Sequence, residues 1–415
     1  MELMRQEQWT RSDVLTRLSK GQMTATEARG ILGLSKRQVR RLRRAFEARG
    51  RPSLVHGNTH RVPSNRLPTA TQESVVRLYR AKYAGFNDQQ FTEKLVDEGF
   101  VISRATVQRW LRAAKLVSPR KRRPPKHRQR RERKARSGMM ILWDGSRHDW
   151  LQGRGPPMCL MGAVDDATSE LLPGAHFVDQ ECSAGYLRTL RAIAVDKGLP
   201  CIAYMDRHGS LRRNDDHWTV EEQLRGEQDP TQVGLALREL GVQVIFALSP
   251  QAKGRVERLW GTLQDRLVSE LRLAGTCTMA EANVVLERYR HDHNRRFAVA
   301  AADTASAWRP VRKPLDVDRV CSFRYRATVQ NDNTVHLSGR IHDIPPGPRG
   351  RSYAKARVEV YQLLDGTWRI YAKERLIATA PATTVQEIVP LRQPKQSATT
   401  KAFRRAILDV AASLP

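Results

Sequence analysis

Three acids in a strongly basic chain stand where they could do chemistry. Asp144 directly follows the apolar run MMILW (139–143), and Asp206 follows CIAYM (201–205) in the same relation. Glu257 lies in SPQAKGRVERLWGTL (249–263), which ends a strand with Ser-Pro and opens a helix. If the two strands are neighbours in one sheet, Asp144 and Asp206 project together at its edge and the helix supplies Glu257 as a third carboxylate. Crowded carboxylates raise one another's pKa and destabilise the fold unless a cation neutralises them. Oxygen ligands without thiols favour a hard divalent ion, Mg²⁺ or Mn²⁺. Two such ions about 4 Å apart can activate a water or hydroxyl and stabilise the leaving oxygen of a phosphodiester. Lys253 and Glu257, four residues apart, share a helix face, and Gly254 lets a partner backbone approach. Alone, that pair reads as a surface ion pair; the two strand-end aspartates give it a functional reading.

Other candidates compete. Asp165 and Asp166 also follow an apolar run, PMCLMGAV, and read as capping the turn into ATSELL. Asp215 and Asp216 sit in a polar stretch with no strand before them and read as solvated. His148, Asp149 and His208 lie close to the first two acids and could orient water or phosphate, or simply face solvent. His291 and His293, two apart on a helix, point apart, which disfavours a shared metal. Trp260 reads as core under the helix, with contact to an unpaired base as the other possibility.

The acids need a scaffold, and the pattern supplies one. MMILW, PMCLMGAV (157–164) and ELLPGAHFV (170–178) predict three strands; SAGYLRTLRAIAVDKG predicts a helix; CIAYM, DPTQVGLALRELG and VQVIFAL (242–248) predict strand, helix and strand before the Glu257 helix. The order is β-β-β-α-β-α-β-α. A helix follows over about 279–296. A proline-bearing connector at 308–318 then leads to short apolar runs over 320–380 that predict a small β-barrel.

Upstream, Val14, Leu15 and Leu18 share one helical face, and Ala25, Ala28, Ile31 and Leu32 another. Gly33-Leu34 turns the chain into SKRQVRRLRRAFEARG, with Ser35 as N-cap, Val39 and Leu42 as the buried stripe, and Lys36, Arg37, Arg40, Arg41, Arg43 and Arg44 around the rest. This is a helix-turn-helix pattern. A second copy begins at FNDQQFTEKLVDEGF and continues in SRATVQRWLRAAK, with Ser103 as cap and Arg104, Gln108, Arg109 and Arg112 on the basic face. Between these units and the strands, RKRRPPKHRQRRERKAR (120–136) holds 11 Lys or Arg in 17 residues and reads as a flexible tether along phosphates.

The whole chain of 415 residues is long enough for roughly three domains. Its 72 Lys+Arg against 43 Asp+Glu give a net charge of +29, which makes nucleic acid the leading partner. No stretch approaches ~20 uninterrupted apolar residues and the opening MELMRQEQWTRSD has no apolar run, so the expectation is a soluble cytoplasmic protein. The five cysteines are widely spaced with no C-x-x-C pair, which argues against a disulfide framework or a zinc site.

The set Asp144 in ILWDGSRHDW, Asp206 in AYMDRHGS and Glu257 in SPQAKGRVERLWGTLQDRL resembles the DDE transposase and integrase core, whose fold is ribonuclease H-like. The nearer likeness is to bacterial insertion-sequence transposases with an N-terminal helix-turn-helix, and it runs over about residues 10–390. VDDATSELL and YRHDHNRRFA are further matching pieces. The resemblance implies that Asp144, Asp206 and Glu257 hold the metal, with two ions expected, and that Lys253 and Arg258 of the same run contact DNA. It implies a nucleoid-associated enzyme that binds terminal inverted repeats, cleaves 3′ ends and transfers them to target DNA, as at least a dimer. A regulator with an inactive integrase-like core is the alternative, and a nuclease that cuts without joining a third. The chain departs from retroviral integrases in lacking a His/Cys zinc module, and RHGSLRRNDDHWTVEEQLRGEQ is a long insertion between the second and third acids. The expected division is 1–60 and 61–117 for two helix-turn-helix units, 118–137 for the linker, 138–300 for the catalytic core, 301–319 for a connector, 320–390 for the barrel and 391–415 for a tail.

Overall fold

The computed structural model describes residues 6–55, 66–117, 131–213, 218–247, 254–312 and 315–388. The chain divides into two compact units, Met1–Val76 and Arg77–Pro415. The expected tail and most of the basic linker lie outside the described residues, as does the expected boundary at 60.

In the first unit α1 (Gln6–Ser19), α2 (Ala25–Leu32) and α3 (Lys36–Arg49) close around Val14, Leu15, Leu18, Ala28, Val39 and Leu54. Thr24 and Glu27 form a capping box at the start of α2, and Ser35 and Gln38 repeat the device on α3. Between them Gly33 takes a left-handed φ of 63°, which ends α2 and makes the tight turn. A second helical group follows: α4 (Thr69–Ala81), within which the two units divide, α5 (Asp88–Asp97) and α6 (Arg104–Ala113), the last two capped by Asn87 and Ser103.

The centre of the second unit is a five-stranded sheet in the order β3-β2-β1-β4-β5: β1 (Met140–His148), β2 (Met158–Asp165), β3 (His176–Val178), β4 (Ile202–Met205) and β5 (Gln243–Phe246). β1, β2 and β3 form an antiparallel meander, while β4 and β5 run parallel to β1. One face packs on α7 (Ser183–Asp196) and α9 (Gln232–Glu239) through Ile141, Trp143, Met161, Ala203 and Met205. The other packs on α10 (Gly254–Leu273) and α11 (Met279–Phe297) through Met140, Leu142, Leu160 and Val164. The predicted order of strands and helices is present with one addition, the short α8 (Val220–Arg225) in the polar insertion. Thr219 and Glu222 start it with a capping box.

The small barrel expected over 320–390 is an open arrangement instead. After α12 (Val317–Val320), β6 (Phe323–Thr328), β9 (Arg357–Gln362), β10 (Trp368–Ala372) and β11 (Arg375–Ala380) form one antiparallel sheet in the order β11-β10-β9-β6. β7 (Thr334–Leu337) and β8 (Arg340–Asp343) form a separate hairpin. Val335 and Ile344 from the hairpin region join Val358, Val360, Trp368 and Ile370 in one core. The apolar runs are thus buried by hairpin-on-sheet packing, and no pairing of β6 with β11 is needed to cover them.

Within the second unit, α5 is docked on α10. Asn87 Nδ2 donates to Asp265 Oδ2 (2.8 Å), and Gln90 Nε2 donates to the Arg266 carbonyl (3.1 Å) and Glu270 Oε1 (2.9 Å). Arg266, nearly buried, holds Glu93 at 2.8 and 3.1 Å and lies 4.9 Å from the Phe297 ring centroid. Glu93 also holds Arg296 at 2.8 Å, so removing Arg266 loses its own buried bonds without stranding the carboxylate. Arg266→Ala is expected to lower stability by about 2 kcal/mol and to expose α5 to proteolysis in the folded protein, measured by thermal unfolding and timed digestion; Arg266→Lys should lose less.

Candidate active site

β1 forks at its middle. It pairs with β2 along its whole length, from Ile141↔Asp165 to His148↔Met158, yet its ladder with β4 ends at Leu142↔Tyr204. Asp144 and Asp206 each lie two residues beyond that last pair, so they emerge at the same level. Alternation puts them on the same face: Met140, Leu142, Ile202 and Tyr204 all belong to the α10 side. Asp144 is therefore inside β1, four residues past its start, and not at the strand's end as the sequence suggested. The β1–β2 hairpin carries the strand onward after β4 has left it.

Both carboxylates are half-buried and oriented by N–H donors. Trp260 Nε1, on α10, donates to Asp144 Oδ2 at 3.2 Å. The His208 backbone N–H donates to Asp206 Oδ1 at 3.0 Å, closing a turn after β4. Glu257 lies three residues before Trp260. At roughly 100° per residue that is one turn toward the helix start and about 60° round the axis, on the flank of the buried stripe. Its side chain is exposed. Among the described residues, no three Asp, Glu, His or Cys side chains gather closely enough to hold a metal ion. The structure thus puts Asp144 and Asp206 at one level and on one face, with Glu257 exposed on the first turn of α10 and in no three-acid group among the described residues.

A further acid, Glu181, adjoins the pair. It stands just before α7 on the opposite face of the sheet, and its Oε2 lies against the chain at Gly145: a Cβ there would be 2.6 Å from it. Tyr186 OH donates to Glu181 Oε1, and His208 Nδ1 lies 3.5 Å from the same oxygen. Burial pushes the Glu181 carboxyl above its ordinary value, and the charges of Asp206 and Asp144 push it further the same way, against the Tyr186 hydrogen bond and His208. Burial raises the Tyr186 phenol, and the charge of its acceptor Glu181 raises it further. A carboxyl that feels both aspartates marks an excess of negative charge at this edge.

No family model matches the chain. Two curated relatives do. It is 37% identical over 302 residues to the Sinorhizobium fredii protein named "Putative transposase y4bF", covering 72% of this chain and 64% of that one. It is 30% identical over 321 residues to the transposase for insertion sequence IS1202 of Streptococcus pneumoniae, covering 68% of this chain and 67% of that one. The chain belongs to the insertion-sequence transposases. It spans about two thirds of the length of these relatives. Among solved structures it is similar to a chain of the simian T-cell lymphotropic virus intasome, at 13% identity and a TM-score of 0.31 over 74% of this chain and 99% of that one. It is also similar to the HTLV-2 integrase catalytic core domain in complex with magnesium, at 15% identity and a TM-score of 0.26 over 41% and 94%. Superpositions this loose carry no argument about the site.

The remaining candidates in this transposase-family chain fall into place individually. Asp165 caps its turn as expected, accepting from Ala167 N (2.9 Å) and Thr168 N (3.0 Å). Asp166 does something else: fully buried, it holds the guanidinium groups of Arg131 and Arg255. Asp149 closes a turn with Gly153 N (3.1 Å), and His148 stacks edge-on with Trp150. His293 is buried against Phe297, and burial pulls its pKa down to about 4; His291 is exposed beside Glu287. Trp260 is core, with its one polar atom spent on Asp144. Lys253, Asp215 and Asp216 lie outside the described residues.

Lys36, Arg37, Arg40, Arg41 and Arg44 are all exposed on α3, as are Arg104, Gln108 and Arg109 on α6. Arg112 differs, because it is tied to Asp88 (2.7 Å) and to the Leu116 carbonyl (2.8 Å) and so braces α5 against α6. Arg258 is exposed on α10, its Nε bonded to the Gly254 carbonyl at 3.1 Å. Glu181 was missed in the sequence. Its one signal is an acid just ahead of a helix that follows a strand, which in isolation reads as favourable helix-start charge.

Because the Glu181 pKa is raised in the folded state, its contribution to stability is fully present below the unfolded value near 4.5 and is lost as pH rises through the folded value. Glu181→Gln removes that loss. In metal-free buffer its melting temperature, relative to wild type, is expected to rise between pH 4 and pH 8.

Proposed function

We propose that this chain is a DNA transposase that binds the terminal inverted repeats of its own element, cleaves at the 3′ ends and transfers those ends into target DNA with Mg²⁺ or Mn²⁺. The observation that carries this reading is the placement of Asp144 and Asp206 at one level and on one face where β1 leaves β4, within a chain of the insertion-sequence transposase family. Their oxygen-only donors, and the neighbouring Glu181 carboxyl pushed up by burial and further by their charge, fit a hard divalent cation. Asp144 and Asp206 would hold it, and Glu257 would join them from the first turn of α10. When bound, such ions polarise the attacking oxygen and neutralise the leaving oxygen of a phosphodiester.

The protein's own part is positioning. Trp260 keeps Asp144 turned toward α10, and the turn at His208 fixes Asp206. The exposed basic side chains of α3 and α6 contact phosphates and a few base edges of the repeats, with Arg258 and Lys253 nearer the cut. Of the basic set on α6, Arg104, Gln108 and Arg109 are the better placed, since Arg112 is engaged with Asp88. Joining two ends in concert requires at least two copies of the chain. The exposed Glu257, in no three-acid group among the described residues, favours a second reading in which the chain binds element ends as a regulator without cutting them.

The two readings separate in one assay with labelled element-end duplex, target DNA and Mg²⁺ or Mn²⁺. Wild type is expected to cut and join, and Asp144→Asn, Asp206→Asn and Glu257→Gln each to lose roughly 10³-fold in cleavage while still binding the duplex. Wild-type binding with no cleavage product supports the regulator instead.

A further inference from the structure

Asp166 is a fully buried carboxylate outside the set of acids just described. It accepts from the guanidinium groups of Arg131 and Arg255 and from the Lys134 backbone N–H at 2.8 Å. Arg255 Nη2 donates onward to the Arg131 carbonyl at 2.7 Å, so the three groups form a closed ring of bonds. Arg133 adds bonds to the carbonyls of Asp166 (3.2 Å) and Ala167 (3.0 Å). The Arg131 guanidinium also lies 5.9 Å from the ring centroid of Tyr204, two residues before Asp206 on β4. Asp166 itself is pinned by its own N–H to the Met140 carbonyl at the start of β1 (3.0 Å). A carboxylate this buried holds its geometry tightly, since any loosening leaves charge unpaired in a dry site.

What the ring holds is the first turn of α10. Arg255 and Glu257 are two residues apart, so they stand on opposite flanks of the stripe formed by Val256, Leu259 and Trp260. Fixing Arg255 therefore fixes the rotation of that turn about its axis, and with it the direction of Glu257. The other arm, Arg131, belongs to the end of the basic linker.

We infer that Asp166 is a positioning residue that sets Glu257 by clamping Arg255, with the linker end at Arg131 bound into the same clamp. This rests on the reading of Glu257 as a metal-holding acid. The substrate is not touched by Asp166; the effect passes through the helix.

The test follows Mn²⁺ binding by the electron paramagnetic resonance signal of the free ion, together with single-turnover cleavage of an element-end duplex, duplex affinity and melting temperature. The proteins are wild type, Asp166→Asn, Arg255→Gln, Glu257→Gln and Asp166→Asn/Glu257→Gln. Asp166→Asn and Arg255→Gln should weaken Mn²⁺ binding and slow cleavage by up to about 10²-fold, the scale of a small misplacement of a reacting group, with duplex affinity unchanged. In the Glu257→Gln background Asp166→Asn should weaken Mn²⁺ no further, because the group it positions is gone. Arg255→Gln leaves Asp166 paired with Arg131 and serves as the probe if Asp166→Asn does not fold. Additive losses in the double variant, or wild-type Mn²⁺ affinity and rate in folded Asp166→Asn and Arg255→Gln, overturn the clamp alone. A wild type that neither binds Mn²⁺ nor cleaves overturns the site reading beneath it.

Discussion

The seating of α10 on the β1–β2 face is the constraint on which the rest depends. Val256, Leu259, Trp260, Leu263, Leu267 and Leu271 form its buried stripe against Leu142, Leu160 and Val164. Burying side chains of this size contributes about 1.5–3 kcal/mol each, so the stripe sets the rotation of the helix body and the Arg255–Asp166 pair completes it at the first turn. That rotation delivers three separate things: Trp260 to Asp144, Arg255 to Asp166, and the polar flank of Asp265, Arg266 and Glu270 to α5. A single helix thereby links the acid pair, the end of the basic linker and a basic helical group.

Charge is organised in the same way. The chain carries +29, yet its central edge concentrates Asp144, Asp206 and Glu181, while Arg266, Arg112, Arg131 and Arg255 inside the second unit are spent on the internal partners Glu93, Asp88 and Asp166. The cations of α3 and α6 are among the exposed positive side chains, as are Arg258 on α10 and Arg326, Arg340 and Arg357 of the C-terminal strands. An acidic spot in a basic surround is suited to phosphodiesters, since long-range attraction gathers the polyanion and the local deficit of positive charge calls for a metal.

Much of this was legible in the sequence because it depends on local rules. Capping residues Ser35 and Ser103 mark two helix starts, and the apolar runs before Asp144 and Asp206 place the first acid on a strand and the second directly after one. The rest was not legible because it depends on pairings between distant segments. That β1 runs four residues past Asp144 is decided by β2, and the open C-terminal sheet is decided by where a hairpin packs. Asp165 and Asp166 look alike in sequence; one caps a turn and the other binds arginines 35 and 89 residues away. Glu181 is visible only once α7 is folded across the sheet from Asp144.

The central claim is that the ion binds at the fork between β1 and β4. Replacing it by Fe²⁺, in the presence of ascorbate and peroxide, cuts the polypeptide backbone wherever the ion sits. The account predicts cuts near Asp144, Asp206 and Glu257 that excess Mg²⁺ suppresses. Cuts clustered elsewhere, or none that compete with Mg²⁺, would contradict it.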